Sequence, residues 1–469
     1  MTSHVAQILS VAQMRAAEDA LVARGTSVDA LMQRAGRGAA EWVWRLAAGR
    51  PVTVLCGPGN NGGDGYVIAQ TLRERGGAVS LIAAAEPRTP AAIQARALYQ
   101  GAVAGADAAV AVAGEVLVDC LFGSGLTRPL TQEHRALLAG LAASHRQAIA
   151  IDVPSGVESD SGAPLNPDLP RFDLTLALGA WKFAHFLMPA VATMGALRLI
   201  DIGVAPVSGA ARPIARPRIA SPSADSHKYR RGLLAVVAGA MPGAALLAAR
   251  AAQGAGAGYV KLLGEGGAAS AAPDLVTDSA RLAEAVADAR IAALLVGPGL
   301  GRDAAARERL AVSLAAQVPA VLDADALVLL APRLLAEHAG PLIATPHDGE
   351  LAALERAFDL PGTGTKPERA ARLAEASGMV IVAKGPDTAV AAPGGGLALA
   401  ARASSWLSTA GTGDVLAGVI ASRLAAGSEA FVAACEGVWL HGEAARLSPP
   451  AFSAGQLAAA IPTALAACL

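Results

Sequence analysis

Net charge is nearly absent from this chain: 38 lysines and arginines face 39 aspartates and glutamates, a formal balance of −1 over 469 residues. A field so close to neutral does not steer a protein to nucleic acid, and no block of like charges marks a disordered tail. Aromatic residues make up only 3%, so the usual anchors of a protein–protein hot spot are few. Cysteine is scarce as well. Cys56, Cys120, Cys435 and Cys468 are scattered with no CxxC pair, which argues against a disulfide framework or a zinc site and suits a reducing cytosol. Mean hydropathy is high, at +0.43, yet long apolar runs are missing. Lys182, His185 and Arg198 interrupt the stretch 175–200, and Pro242, Arg250 and several glycines interrupt 232–263. Neither offers the ~18 uninterrupted apolar residues of a membrane span. The opening residues have no apolar core and carry Glu18 and Asp19 early, unlike a secretory leader. These absences lead to the expectation of a cytoplasmic protein with no nucleic-acid or membrane partner.

What is present is small and apolar: 53% hydrophobic residues and 51 glycines. At about 100–200 residues per domain the length allows two to four domains. Residues 10–48 read as helical, with Ser10 a cap for the first helix. This segment either packs on its own domain or forms a dimer contact; a homo-oligomer is expected. From Pro51 onward β-branched runs alternate with segments of helical length. Strands are predicted at 51–56, 78–83, 116–122, 147–153 and 173–178, the pattern of βαβ units and a parallel sheet. Residues 206–224, punctuated by Pro206, Pro213, Pro217 and Pro222, read as a linker. A second alternating series follows, with strands predicted at 233–239, 259–263, 292–297, 320–325, 341–345 and 379–385, then three helices across 411–468. The fold class expected is therefore two successive α/β domains, 1–205 and 225–469.

Three motifs mark the first domain. GPGNNGGDG (57–65) lies between a strand and a helix. Its glycines let backbone N–H groups approach a phosphate, and Asn60, Asn61 and Asp64 add oxygens that an ordinary GxGxxG fingerprint lacks. VDCLFGSGL (118–126) and IDVPSGV (151–157) each place an aspartate, Asp119 and Asp152, near a strand end. Ligands of open α/β sheets sit at that edge. One such aspartate is commonly a cap; three beside glycines indicate a site. Oxygen ligands from Asn, Asp and Ser suit an alkali or alkaline-earth ion, not zinc.

These motifs, with QMRAAE (13–18) and LMQRAG (31–36), resemble the YjeF N-terminal family of NAD(P)H-hydrate epimerases over most of 8–203. The resemblance implies a Rossmann-like α/β/α sandwich. It implies that Asn60, Asn61, Gly62, Gly63 and Asp64 hold the dinucleotide together with the loop Gly123, Ser124, Gly125, Leu126, Thr127, Arg128 and Pro129. It assigns a potassium ion to Asn61, Asp119 and Ser155, and contact with the hydrated nicotinamide to Asp152, the choice for proton transfer. Lys182 departs a little from the family context, which usually has proline just before it. It is either a phosphate contact or a snorkelling lysine.

The second domain opens with HKYRRG (227–232). AGAMPGA (238–244) and GAGAG (254–258) bracket a helix and permit close backbone approach to a ligand or to a neighbouring helix. VGPGLG (296–301), LDADAL (322–327), ATPHDGE (344–350) and KGPDT (384–388) are further strand exits. In AGTGDVLAG (410–418), Gly411, Thr412 and Gly413 place backbone donors at a helix N-terminus, with Asp414 in the first turn. Asp414 is either a cap or a base that activates a hydroxyl toward a phosphoryl group. No GxxxxGK[ST] occurs, so this is not a Walker-type site.

The GTGD arrangement resembles ribokinase-like kinases, and the whole set resembles the ADP/ATP-dependent NAD(P)H-hydrate dehydratases over about 225–447. The resemblance implies that Ala244, Gly299, His347 and Asp414 contact the hydrated dinucleotide. Lys384, Gly385, Pro386, Asp387, Thr388 and Gly413 would contact ADP or ATP, with Mg2+ accompanying the nucleotide. Asp348 stands where the family usually has proline and adds negative charge near the phosphates. The stretch before GTGD also departs, with less Asn and Gly. Together the halves imply a repair enzyme that epimerises hydrated NADH or NADPH and dehydrates the S form. The alternative is a ribokinase-like small-molecule kinase with a fused non-catalytic domain that senses or binds a dinucleotide.

Overall fold

Internal contacts divide the chain into two units, Met1–Ala211 and Arg212–Leu469. The structure, a computed structural model, describes residues 6–107, 114–264 and 272–469.

Seven strands of the first unit form one parallel sheet. Their order is Val103–Gly105, Val79–Ala83, Val52–Cys56, Gly114–Cys120, His145–Ile151, Leu174–Leu178 and Ala196–Ile200. Alternation along each strand sorts its side chains to two faces. Val52, Val54 and Cys56 join the core under helices Val28–Ala47 and Asn60–Glu74, while Leu55 joins Leu117, Leu138 and Leu141 under helix Gln132–Ser144. Burial on both faces explains the near-continuous apolar strands. Val103–Gly105 and Ala196–Ile200 escape the sequence pattern because they form the two sheet edges and are only partly buried. The opening segment forms helices Val11–Ala23 and Val28–Ala47, with Ser10 and Ser27 each accepting a first-turn N–H. Leu31, Met32, Ala35 and Val43 of the second helix are buried in the unit's own core.

The strand order reverses between Val52–Cys56 and Gly114–Cys120. Loops leaving such a switch point diverge and leave a crevice. Here the exits are also tightly packed. A Cβ on Gly57 would stand 1.8 Å from the Leu121 carbonyl oxygen, and one on Gly62 1.9 Å from that of Gly57. Only glycine permits this approach.

The second unit contains a ten-stranded sheet. Its order is Arg212–Pro213, Leu397–Leu399, Ala389–Ala391, Val380–Ala383, Leu342–Ala344, Ala320–Leu322, Ile291–Val296, Leu233–Val237, Tyr259–Leu263 and Val276–Asp278. Ala389–Ala391 runs antiparallel to both neighbours and the other pairings are parallel. Leu233, Ala235 and Val237 face one core and Leu234 and Val236 the other. The stretch 206–224 is not a free linker throughout. Arg212–Pro213 is an edge strand, and the buried Ile219 donates its amide to the Cys468 carbonyl at 3.0 Å.

The tail folds as helices Thr412–Ala425, Ala430–Leu447 and Ala454–Ala466. A Cβ on Gly418 would lie 2.1 Å from the Ala248 carbonyl oxygen, so the first tail helix meets helix Pro242–Gly254 backbone to backbone. The glycines of 254–258 face Pro462, Arg423 and Lys228: they serve packing within the protein. Among the described residues, no helix is long and apolar enough to cross a membrane.

Candidate functional sites

Loops at the switch point of the first sheet enclose a cavity of about 700 Å³. Its walls include Asn60, Asn61, Asp64, the whole loop Gly123–Pro129 and Asp152, with Arg15, Glu18 and Lys182. Asp152 follows strand His145–Ile151, is buried, and adopts φ 67°. That left-handed backbone is costly for a non-glycine residue, and several bonds fix it. Lys182 Nζ donates to Asp152 Oδ1 at 2.5 Å and to the Leu178 carbonyl at 2.6 Å. The Ser124 amide donates to Oδ2 at 3.0 Å. Burial pushes the Asp152 carboxyl upward, but Lys182 and the Ser124 hydrogen bond outweigh it and hold it below its ordinary range. Lys182 is therefore neither extended to solvent nor aimed at a surface phosphate. It is almost fully buried because its ammonium has a carboxylate and a carbonyl to satisfy it.

Two more carboxyls share the cavity. Burial, then the nearby charges of Asp152 and Glu18, raise Asp64 well above its ordinary range against the opposing pull of Lys182. Glu18 is raised as well, chiefly by burial.

Asp119 and Ser155 stand behind the wall. Ser155 donates from Oγ to Asp119 Oδ1 at 2.8 Å and from its amide to Oδ2 at 3.0 Å. The Phe122 amide donates to Ser155 Oγ at 2.8 Å, and the next residue, Gly123, lies against Asn61. Both amide atoms of Asn61 are buried without a hydrogen-bond partner. Gly62 and Gly63 do not line the cavity; they are packed against Gly57 and against Met32 and Ala92.

In the second unit, five adjacent parallel strands send their exits to one edge of the sheet. Lys384, leaving Val380–Ala383, reaches Asp323 with Nζ 2.6 Å from Oδ1, and Thr345 Oγ1 donates to the same oxygen at 2.7 Å. A Cβ on Gly413 would stand 3.6 Å from Lys384 Nζ, which brings the GTGD turn to this lysine. Gly411 begins the helix at φ 90°. Burial, and then Asp323, raise the Asp414 carboxyl to about 6, with Lys384 opposing. Gly299 sits at φ 65° and its carbonyl accepts the Met241 amide at 2.9 Å, tying the GPGLG loop to the turn that precedes Ala244.

Residues 28–184 match the family described as YjeF-related protein N-terminus, and residues 234–466 match NAD(P)H-hydrate dehydratase. The bifunctional NAD(P)H-hydrate repair enzyme of Mycobacterium leprae is 33% identical over 461 residues, covering 94% of this chain and 93% of that one. The corresponding enzyme of Gloeobacter violaceus is 35% identical over 490 residues, covering 93% and 92%. The chain belongs to the bifunctional NAD(P)H-hydrate repair enzymes. Among solved structures, the ADP/ATP-dependent NAD(P)H-hydrate dehydratase from Bacillus subtilis co-crystallized with ATP/Mg2+ is 30% identical, with TM-score 0.47, covering 54% of this chain and 95% of that one. A ribokinase-like superfamily protein from Enterococcus faecalis matches at 24% identity and TM-score 0.48, covering 53% and 92%.

The repair enzyme combines two α/β units, an N-terminal YjeF-related epimerase unit and a C-terminal NAD(P)H-hydrate dehydratase unit. Its family is nucleotide-dependent. Several residues of its sites gave no individual signal in the sequence. Glu18 and Arg15 lie on a helix remote in sequence from the glycine loop. His185 is buried behind Asp152, and Asp323 and Asp325 look like ordinary strand-exit aspartates. Lys366 sits at a helix start with no motif around it, yet its Nζ lies 2.5 Å from Asp387 Oδ1 and 3.3 Å from Asp348 Oδ1. His347 is occupied locally, because it caps helix Asp348–Ala357 with its Nδ1 accepting the Gly349 amide at 3.0 Å. The Thr388 hydroxyl likewise closes its own loop on the Gly385 carbonyl at 2.8 Å.

Proposed function

We propose that the N-terminal unit interconverts the R and S epimers of hydrated NADH or NADPH, and that the C-terminal unit dehydrates the S epimer with ADP or ATP. The observation that carries the first half is Asp152, a buried carboxylate held ionised by Lys182 on the wall of a dinucleotide-sized cavity. Asp152 serves as the base at the hydrated carbon. Asn60, Asn61, Asp64 and Gly123–Pro129 hold the dinucleotide around it, with Gly62 and Gly63 packed behind them.

The orphaned Asn61 amide, against Gly123 of the loop whose Phe122 amide is held by Ser155 and, through it, Asp119, fits a potassium ion. Such an ion supplies fixed positive charge to the dinucleotide loops.

In the second unit Asp414 removes the proton from the substrate hydroxyl as its oxygen bonds to the terminal phosphorus of the nucleotide. AMP or ADP leaves. The ring nitrogen then expels phosphate, and loss of a proton from the neighbouring carbon restores the double bond. Phosphorylation helps because phosphate leaves far more readily than hydroxide. Gly411 and Gly413 offer N–H donors to the developing charge, the Thr412 amide being engaged with the Thr409 carbonyl, and Lys384–Thr388 hold the adenine nucleotide. Ala244, Gly299 and His347 flank the hydrated dinucleotide. Asp323 and Asp325 act electrostatically on Asp414; a Mg2+ ion would be carried in by the nucleotide and would neutralise phosphate charge. The compartment we assign is the cytoplasm, on the free, scattered cysteines.

The test is recovery of dihydronicotinamide absorbance from mixed-epimer NADH hydrate, with ADP and with ATP. Full recovery with one nucleotide supports both halves and identifies the donor. Recovery limited by spontaneous epimer exchange removes the epimerase. A stable phosphorylated product without recovery makes the second unit a kinase.

A further inference from the structure

Epimerisation asks for more than a base. Hydration of an enamine places the hydroxyl on the ring carbon bonded to nitrogen. Inverting that carbon by C–O cleavage needs a proton for the departing hydroxyl on one face and a base for the entering water on the other.

The cavity wall offers a second buried carboxyl besides Asp152. Asp64 stands one turn into helix Asn60–Glu74 and lines the same cavity. The two carboxyls differ in their partners. Asp152 is met by Lys182 Nζ and the Ser124 amide, whereas among the described residues no hydrogen bond or ion pair reaches the carboxyl of Asp64. A carboxylate removed from water without a partner is costly, so such a site favours the neutral acid. Its upward shift, led by burial, agrees. The topology separates the two groups. Helix Asn60–Glu74 follows strand Val52–Cys56, and Asp152 follows strand His145–Ile151; Gly114–Cys120 lies between these strands. The two carboxyls therefore reach one cavity from two different exits of the sheet.

We infer that Asp64 is the general acid of epimerisation, protonating the hydroxyl that leaves while Asp152 accepts a proton from the water that enters. The inference rests on the epimerase function proposed above. In the first step the Asp64 carboxyl gives its proton to the hydroxyl oxygen, the C–O bond breaks, and the nitrogen lone pair forms C=N+. Water and the Asp64 carboxylate result. In the second step a water on the opposite face bonds to that carbon, the C=N electron pair returns to nitrogen, and Asp152 takes the released proton. One water leaves and one enters. The proton gained by Asp152 returns to Asp64 through water, past the half-buried Glu18 on the cavity wall.

Full-length wild type, Asp64→Asn and Asp152→Asn are assayed for epimer exchange of hydrated NADH in oxygen-18 water, with the spontaneous rate subtracted. The expected result is one labelled hydroxyl per enzyme-driven inversion. Asp64→Asn should lower kcat by about 10²- to 10⁴-fold with little change in KM. Wild-type inversion without label overturns the inference, and that measurement does not depend on a variant folding. So does a loss in Asp64→Asn confined to KM, which would make the residue a binding contact. If wild type shows no enzyme-driven exchange, the epimerase function falls and this inference with it. If wild type inverts, Asp152→Asn does not and Asp64→Asn keeps its rate, only the role of Asp64 falls.

Discussion

His185 holds Asp152 by its backbone: Nε2 donates to the Asp152 carbonyl at 2.8 Å, while Nδ1 accepts the Lys182 amide at 2.9 Å. One neutral imidazole thus fixes both members of the buried ion pair. His185→Ala leaves two buried backbone groups unpaired, at about 1–3 kcal/mol each. The N-terminal unit should unfold at a lower temperature and lose epimer exchange, while dehydration of the S epimer continues. His185→Gln, which offers a donor and an acceptor, should recover part of the loss. Calorimetry with the two separate assays checks this.

The same histidine makes the fold acid-sensitive. Burial, with Lys182 adding to it, lowers His185 to about 4. Burial also lowers His441, whose Nε2 lies 2.9 Å from the Thr412 carbonyl, to about 4. The unfolded chain binds a proton near the ordinary value of about 6.5, so between the two values the unfolded state holds more protons. Stability is full above about 6.5 and falls as pH drops toward about 4, by on the order of 3 kcal/mol for each histidine. Urea unfolding at pH 7.5 and pH 4.5 should show the drop, and His185→Gln should remove part of it. The raised carboxyls of Asp64 and Asp414 act in the opposite sense over the same range, so the deciding result is the variant: a pH difference unchanged in His185→Gln would contradict the burial of this ring as a neutral group.

Lys182→Met should strand the Asp152 carboxyl in a buried site without its cation. Burial then prevails, the carboxyl titrates above its ordinary range, and the acid limb of epimer exchange moves to higher pH. A lysine that only fills space would leave the limb in place. A pH profile of kcat, read beside the unchanged dehydratase half, separates the two.

The glycine loops, the aspartates that follow strands and the order of the two α/β series are legible because each depends on local chain chemistry. Gly57 and Gly62 are glycine because backbone passes within 2 Å of where a Cβ would stand. What the sequence conceals is assembled over distance. Lys182 reads as a phosphate contact or a snorkelling lysine until Asp152, thirty residues away, is seen to receive it. His347 sits in an attractive motif, yet its Nδ1 is engaged in capping its own helix. Edge strands such as Val276–Asp278 carry no clean alternation because successive residues on both faces are exposed or only partly buried. The antiparallel hairpin Ala389–Ala391 and Leu397–Leu399 is too short for its period to register.

Asp414 should give the dehydratase an acid limb near its raised value of about 6, since the base must be deprotonated to accept the hydroxyl proton. Rate should rise with pH through that point. Lys384 lowers Asp414, so Lys384→Met should move the limb upward and also raise the nucleotide KM. Asp414→Asn should abolish dehydration while epimer exchange persists. A limb unmoved by Lys384→Met would mean that the lysine serves the nucleotide alone.

Asp348 tests whether extra negative charge weakens nucleotide binding. Its side chain is 67% exposed, and Lys366 Nζ lies 3.3 Å from its Oδ1. The same ammonium lies 2.5 Å from Asp387 Oδ1 and 3.3 Å from the Lys384 carbonyl. Lys366 therefore ties the TPHDGE and KGPDT turns together and offsets the added charge. An exposed pair contributes about 0–1 kcal/mol, so Asp348→Asn should change the nucleotide KM by less than about 5-fold. Lys366→Met should do more. It leaves the buried Asp387 without the cation beside it and frees the loop that carries Lys384, raising KM by at least about 10-fold. If Asp348→Asn instead tightens ADP binding strongly, the charge is not offset, and Lys366 holds Asp387 alone. A double-mutant cycle over Asp348 and Lys366 measures the coupling directly.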